Sequence, residues 1–495
     1  MNPDKIQLTR RSAMAVFGAS AAVMAENAAS NLLFAAETRR AAAYREKYRP
    51  QFHFTARRGW INDPNGLVYD GGWYHLFFQY VRDDLTGGSG GTKSWGHAIS
   101  RDMVHWRQLP EALAPDSAGG IWSGSAVVDW HNTSGLGAGG RPPVIAVYTA
   151  AGGTSAISRG KPFVQCLAWS HDGGMTLHKY RGNPVLKQIV YGNRDPKVFW
   201  HAGSKRWIMP LFLNADRGFA ILTSPDLKSW KKTQELHFPQ SQECPNLFPL
   251  SDPDLPEKLH WIFTGANGQY LIGSFNGSAF TPHSGPFAMD TGNNFYASQV
   301  FSDIPRKDGR TIQITWMRGG RYPGMPFNQQ LGFPCTLTLK KTSAGLRLAR
   351  YPVAEISRLW RARRHLHNVP IASADRMIRS HSTDTMDLEM ELFVGGATHL
   401  ALNVGGVPVE WSARTKSIHC LGAVGKAAAE NGRLHLRILL DRTSLELFAQ
   451  GGLCSMSSCY LPGAGGVQNS LKASPGARVM SLALRPLHSA WHEST

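Results

Sequence analysis

The sequence contains no run of about 20 apolar residues, the length a helix needs to cross a bilayer. The Ala-rich stretch 13–25 is too short and too weakly apolar to serve. Cysteine is scarce: Cys166, Cys244, Cys335, Cys420, Cys454 and Cys459 are the full set in 495 residues. None falls in a C-x-x-C or Cys/His zinc spacing. Cys454 and Cys459 are candidates for a disulfide if the chain meets an oxidising compartment. An H-E-x-x-H helix, a P-loop and a dinucleotide fingerprint are all missing, so zinc-protease, nucleotidase and NAD-dependent chemistry have no signal here. Long helical periodicity is missing too.

What is present is basic. Lys and Arg number 53 against 35 Asp and Glu, a formal charge of +18. The densest clusters are Arg39-Arg40 and the set Arg358, Arg361, Arg363 and Arg364, without a recognisable nucleic-acid module. A solvated basic surface, or attraction to an acidic cell envelope, is expected rather than a nucleic-acid partner. Thr9-Arg10-Arg11-Ser12 followed by the Ala-rich stretch reads as a twin-arginine export signal within 1–36. Cleavage is placed between Ala25 and Ala36, and the location is periplasmic or extracellular. A disordered or membrane-anchored N-terminus is the alternative. No integral membrane segment is expected elsewhere.

Between 50 and 348 short runs of β-formers are split by Gly, Pro, Asn and Asp, as at 73–80, 143–148, 207–213, 261–263 and 311–317. A weak repeat overlies them. Ser100-Arg101-Asp102-Met103-Val104-His105-Trp106 returns as Ser224-Pro225-Asp226-Leu227-Lys228-Ser229-Trp230, with a degenerate copy at Ser170-His171-Asp172-Gly173-Gly174. The Asp positions are 70 and then 54 residues apart, the length of one four-stranded blade with long loops. The fold class is therefore all-β: a five-bladed β-propeller over 50–348, with a β-sandwich as the alternative for that region. A linker at 349–370 follows, where Ile356, Leu359 and Trp360 at helical spacing suggest a short helix. A C-terminal β-sandwich is expected over 371–495, with strands near 385–393, 400–404 and 434–448 and a turn at 441–444.

Three carboxylates stand in stiff, turn-forming contexts. Asp63 lies in Gly59-Trp60-Ile61-Asn62-Asp63-Pro64-Asn65-Gly66, where the following proline disfavours helical backbone and Asn-Gly supplies a turn. Read alone, this is a good hairpin turn. Asp195 lies in Asn193-Arg194-Asp195-Pro196-Lys197, again before proline and beside a guanidinium. It reads equally as an exposed Arg–Asp turn. Glu243 lies in Gln242-Glu243-Cys244-Pro245-Asn246-Leu247-Phe248, before an apolar strand. Partial desolvation there would raise its pKa, as a general acid requires, although a Glu at a strand start is commonly structural. The three are 132 and 48 residues apart. Equivalent inner-strand positions of different blades converge on a propeller axis, and such convergence of like charge is costly unless function demands it.

These segments, in this order, resemble the three hallmark motifs of glycoside hydrolase family 32, which includes invertases, inulinases and levanases. Further matches are Phe77-Phe78-Gln79-Tyr80, Trp95-Gly96-His97-Ala98, Trp122-Ser123-Gly124-Ser125-Ala126-Val127, Phe295-Tyr296-Ala297-Ser298-Gln299 and Ile314-Thr315-Trp316-Met317. The resemblance implies a retaining β-fructosidase acting on a fructose-containing oligo- or polysaccharide. Asp63 would be the nucleophile, Glu243 the acid–base and Asp195 a transition-state stabiliser binding ring hydroxyls. Asn62, Gln79, Trp95, Trp122, Ser123, Arg194, Asn294 and Trp316 would bind the fructosyl unit, and Cys244 would tune the neighbouring Glu243. Retention implies a separation of about 5–5.5 Å between nucleophile and acid. Neither metal nor cofactor is implied, because two carboxylates supply both kinds of catalysis.

One position departs from the family pattern: Asn294 stands where an Asp is common, and Asp290 nearby is a possible substitute. The segment 122–135, with Asp129-Trp130-His131-Asn132, resembles bacterial fructan-degrading members and favours oligomer or polymer substrates. Fructosyl transfer through the same covalent intermediate, a non-catalytic carbohydrate-binding propeller and an inverting glycosidase of arabinan are the competing readings.

Overall fold

A computed structural model describes residues 44–88, 90–214, 218–463 and 468–491. The twin-arginine pattern and the Ala-rich stretch lie outside the described residues. The chain divides into two compact units, 1–49 and 50–495. In the first, the described residues 44–49 form a turn in which Arg49 pairs with Glu46.

The second unit begins with five sheets, each an antiparallel run of four strands in chain order. Blade one holds Gly59–Asp70, Trp73–Val81, Ser94–Ser100 and Arg107–Leu113; blade two holds Gly120–Val128, Val144–Ala151, Phe163–Ser170 and His178–Lys179. Blade three runs Phe199–His201, Arg206–Leu213, Gly218–Ser224 and Lys231–His237; blade four runs Asn246–Ser251, Leu259–Thr264, Gln269–Phe275 and Phe280–Ala288. Blade five consists of Phe295–Val300, Thr311–Met317, Cys335–Thr342 and Gly345–Pro352. The late segment Phe327–Asn328 pairs in parallel with Gly59 and Trp60, tying blade five's excursion to blade one.

The first strands of the blades meet one another. Gln299 donates to the Gly124 carbonyl at 3.0 Å, Ser125 to the Pro196 carbonyl at 2.9 Å, and Asn246 to the Ser298 carbonyl at 2.9 Å. Side-chain amides and hydroxyls thus satisfy backbone groups where no sheet partner exists, as buried polar groups require.

The repeat marks the link between third and fourth strands. Ser100, Ser170 and Ser224 donate to Asp102, Asp172 and Asp226 at 3.0, 2.6 and 3.1 Å. Asp102 and Asp226 each accept two backbone N–H groups from the following turn. Trp106 and Trp230 donate to the carbonyls of Met103 and Leu227, both left-handed residues. Blade four carries a fourth version that the sequence repeat does not reveal. There Asn276 takes the place of Asp and accepts from Ser278 and Ala279 N–H at 2.9 Å each, and Phe280 replaces Trp.

Beyond the propeller, a 3-10 turn at Ala354–Leu359 buries Ile356 and Leu359, the spacing read as a linker helix. Two sheets follow, one of six strands and one of five. Between them lies a core that includes Leu388, Met390, Leu402, Val409, Ile438 and Leu447. The helix Ile371–Arg379, unforeseen in the sequence, docks Ala374 and Ile378 on that core. Val407–Ser412 alternates buried and exposed, as a strand with one wet face should. Ser444–Ala449 is buried throughout. Its second face, with Phe448 and the neighbouring Leu439, packs into the cluster of Phe52, Ile312 and Phe333 on the propeller.

A buried ionic network crosses the same contact. His53 touches Asp441 and Glu446 at 2.9 Å each. Arg350 reaches Glu446 at 2.8 Å and Asp290 at 3.3 Å. Burial opposes the imidazolium, but the hydrogen bonds and charges of Asp441 and Glu446 prevail and push His53 up to about 9. Burial likewise opposes ionised Glu446, yet Arg350 and His53 hold it down at about 2. Cys454 and Cys459 end the same extended strand. At about 3.3 Å per residue they stand far beyond the 7 Å that a disulfide can span, so the candidate pairing does not form, and both thiols are free.

Candidate active site

The three carboxylates lie at the entrances of first strands: Asp63 within Gly59–Asp70, Asp195 just before Phe199–His201 and Glu243 just before Asn246–Ser251. Blade two supplies Trp122 and Ser123 from the same level, and blade five supplies Asn294 and Tyr296. Strand pairing slips at Ile61/Pro64, Trp122/Gly124 and Tyr296/Gln299. Bulges of this kind turn a side chain out of the alternation and aim it elsewhere.

The backbone departs from expectation here. Asp63-Pro64-Asn65-Gly66 is not a hairpin turn but a bulged stretch of strand. Asp195 and Cys244, though each precedes a proline, adopt left-handed φ of 64° and 39°, and Glu243 has φ 51°. Each such residue costs about 1–3 kcal/mol and persists only where surroundings over-determine it.

Asp63 is clamped from two sides. Lys93 and the Trp60 indole donate to Asn62 Oδ1 at 2.8 and 3.2 Å, which turns the Asn62 amide nitrogen toward Asp63 Oδ1 at 3.1 Å. Gln79 donates to Ser123 Oγ at 2.6 Å, leaving the Ser123 hydrogen for Asp63 Oδ2 at 2.5 Å. Burial raises the Asp63 pKa, and the charge of Glu243 adds to it. Ser123, Asn62 and Lys93 pull the other way.

Asp195 accepts the Cys244 N–H at 3.1 Å, and its own N–H donates to Thr149 at 3.0 Å. Burial pushes it up to about 7 against Arg194, with Glu243 and Asp63 adding to the rise. The Cys244 thiol lies 3.6 Å from Asp63 and 3.7 Å from Asp195. Burial and the three surrounding carboxylates hold it neutral, well above an ordinary thiol. The thiol's hydrogen-bond partners are therefore the two aspartates, not the carboxyl of Glu243 that it was expected to tune.

Glu243 keeps 29% of its side chain exposed, less enclosed than the apolar strand behind it suggested. Arg194 donates to one of its oxygens at 2.7 Å and the Tyr296 hydroxyl to the other. Arg194 is itself fixed by the Gly192 carbonyl and Asn214, and its guanidinium lies over Phe212.

The remaining expected residues divide into two layers. Trp122 and Trp316 are partly open. Trp316 stands edge-on to Trp60 and Tyr296 at 6.4 and 6.0 Å, completing an aromatic wall. Trp95 is fully buried and donates to the Trp122 carbonyl, and Gln79 acts on Asp63 through Ser123. These two support the lining rather than form it. The Asn294 amide is occupied by the Arg318 carbonyl and the Cys459 N–H. Asp290 is buried among Arg350, Ser457 and Gly292, which removes it as a substitute for a substrate-binding Asp. The segment 129–135 follows the far end of Gly120–Val128, away from Trp122 and Ser123. It does not adjoin the carboxylates. Trp60, Lys93, Thr149 and Tyr296 were not singled out from sequence, although Trp60 and Tyr296 lie inside quoted motifs.

Beneath the carboxylates the axis narrows to a cavity of about 10 Å³ between Ser123, Asp195, Lys197 and Cys244, room for about one water. Among the described residues no group of three His, Cys, Asp or Glu has the arrangement of a metal site.

Two family descriptions match the chain: the glycosyl hydrolases family 32 N-terminal domain over 53–352 and the family 32 C-terminal domain over 367–485. The chain is 34% identical to a levanase of Bacillus subtilis over 93% of its own length and 73% of the levanase. It is 35% identical to an extracellular exo-inulinase of Aspergillus niger over 62% of its length and 65% of the inulinase. The crystal structure of an exo-inulinase from Aspergillus awamori superposes with a TM-score of 0.78 at 26% identity, covering 90% of this chain and all of that one. A fructofuranosidase from Schwanniomyces occidentalis complexed with fructose follows at 0.77 and 25%, covering 90% and 99%.

Proposed function

The chain belongs to glycoside hydrolase family 32, and on that premise we propose that it is a retaining β-fructosidase removing terminal β-fructofuranosyl units from fructans or sucrose. The observation that carries the reading is the meeting of Asp63 and Asp195 on one thiol. Arg194 bridges from Asp195, 3.8 Å away, to Glu243. The segments that supply these groups are far apart in sequence, and a cluster of carboxylates with raised aspartates is the mark of a functional site.

Asp63 attacks C2 of the fructosyl unit while the C2–O bond to the leaving group breaks. Glu243 delivers its proton to the departing oxygen. A fructosyl ester on Asp63 results. Water then attacks C2, Glu243 takes its proton, the ester bond breaks and free Asp63 returns. Asp195 holds ring hydroxyls and stabilises the positive charge that develops on the ring. The hydrogen bonds from Ser123 and Asn62 favour ionised Asp63 against its burial and keep it pointed, and Arg194 and Tyr296 orient Glu243. Export to the periplasm or outside the cell follows from the N-terminal twin-arginine pattern, and N-terminal sequencing of the protein from the culture fluid tests it.

The decisive assay follows fructose release from sucrose, inulin and levan by the purified protein. Methanol is added as a competing acceptor. Methyl β-fructofuranoside is the product expected of retention. Absence of fructose from all three sugars, or undiminished release by Asp63→Ala, overturns the reading.

A further inference from the structure

Trp122 is pinned beside the carboxylates by its N–H bond to the Gly90 carbonyl at 3.0 Å. Its indole meets the ring of Phe163 at a right angle, centroids 5.3 Å apart, and Phe163 meets Tyr191 at 5.9 Å. Phe163 is 6% exposed, whereas Tyr191 is 73% exposed, the most open large hydrophobic side chain among the described residues. A row of three aromatic rings thus leads from the fructosyl pocket to the surface, its middle member a buried prop and its last member uncovered.

The loop that carries Tyr191 is stiff. Asn193, fully buried, accepts the N–H groups of Ile189 and Val190 at 2.8 and 3.3 Å, and its carbonyl accepts from Gln165 at 3.1 Å. The Phe163 N–H reaches back to Gln188 at 3.0 Å. Three residues beyond Tyr191 stands Arg194, whose position the chemistry requires. An exposed tyrosine on a mobile loop would lose its freedom on binding, a cost that the fixed loop has already met. Aromatic faces supply large contact area with few rotatable bonds.

We propose that Tyr191 is a distal subsite that stacks against fructosyl residues of an oligomeric or polymeric fructan, beyond the residue whose bond is cleaved. The proposal rests on the β-fructosidase reading and names its substrate class. Two ring spacings separate Tyr191 from Trp122, the reach of a chain that continues past the leaving group. Sucrose, which ends at that group, does not extend to Tyr191.

The test compares kcat/KM for fructose release from sucrose, from short inulin-type oligomers and from levan, in the wild type, Tyr191→Ala and Tyr191→Phe. In Tyr191→Ala the ratio of polymer to sucrose kcat/KM is expected to fall five- to tenfold, through KM rather than kcat. Tyr191→Phe, which keeps the stacking face, is expected to retain the wild-type ratio. An unchanged ratio in Tyr191→Ala overturns the subsite, and so does an equal loss on every substrate. Failure of the wild type to release fructose from any substrate would instead strike the β-fructosidase reading, so the two failures are distinguishable.

Discussion

Two trios of carboxylates converge in the molecule, and they are built on opposite rules. At the propeller axis Asp195 and Glu243 share one guanidinium, Arg194, while Lys93 reaches Asp63 through Asn62. At the contact between propeller and sandwich Asp290, Asp441 and Glu446 share Arg350 and a protonated His53, with backbone N–H groups filling the remaining positions. Burial raises carboxyl pKa values in both places. At the axis it wins for Asp63 and Asp195, whereas at the contact the cations win and Asp441 and Glu446 are lowered. The residue types are alike and the contact trio is the more deeply buried, yet Asp441 and Glu446 are the ones lowered, so the supply of positive charge separates a reactive cluster from a structural one.

The largest test of that contrast is Asp63→Ala, expected to lower kcat by about four orders of magnitude or more, as loss of a covalent nucleophile does. Thermal unfolding of Asp63→Asn should match or exceed the wild type, because the change removes a buried charge that lacks full compensation. A large loss of stability would place Asp63 with the structural trio. The converse is Arg350→Met, expected to cost about 3–5 kcal/mol by leaving Glu446 and Asp290 buried without their cation. Denaturant unfolding reads it, and an unaltered midpoint would refute the balanced-network account.

Much of the axis trio was legible in the sequence because its signals are local. Asp-Pro, Asn-Gly and Glu-Cys-Pro each stand out within a few residues, and motif order adds the rest. The second trio was not. His53, Asp290, Arg350, Asp441 and Glu446 meet only through docking of two domains, and His53 lies 388 residues from Asp441. The left-handed backbone at Asp195, Glu243 and Cys244 contradicts what the prolines after Asp195 and Cys244 favour locally, because tertiary contacts override that preference. The blade-four turn escaped for a simpler reason. Asn276 keeps the oxygen that accepts the two N–H groups while losing the carboxylate that defines the repeat by eye. The helix Ile371–Arg379 is nine residues with two buried positions, too little periodicity to distinguish from a strand entry.

The next test is pH. His53 is raised in the folded chain from 6.5 to about 9. A raised histidine contributes stability that is fully present below pH 6.5 and lost as pH rises through about 9. The loss is expected to reach about 3 kcal/mol at most. Melting temperatures between pH 6 and 10 should fall along this limb, and His53→Gln should flatten it. The axis aspartates have the same sign at lower pH. Asp195, raised from 3.8 to about 7, favours the protonated fold, so its stabilising contribution is lost as pH rises through that window. Asp195→Asn should abolish that component while leaving the alkaline limb unaltered.

The smallest effect belongs to Cys244. Its neutral thiol faces the two aspartates at 3.6 and 3.7 Å, and a hydroxyl in its place is a stronger donor to an ionised carboxylate. Cys244→Ser should therefore favour ionised Asp63 and Asp195 and move the acid limb of kcat/KM to lower pH. The exchange replaces a weak hydrogen bond by a stronger one, a difference smaller than a whole hydrogen bond of about 1 kcal/mol. One pKa unit corresponds to 1.36 kcal/mol, so the limb should move by less than about one unit. A pH–rate profile resolves this. An acid limb that stays where it is in the wild type would refute this account of the thiol.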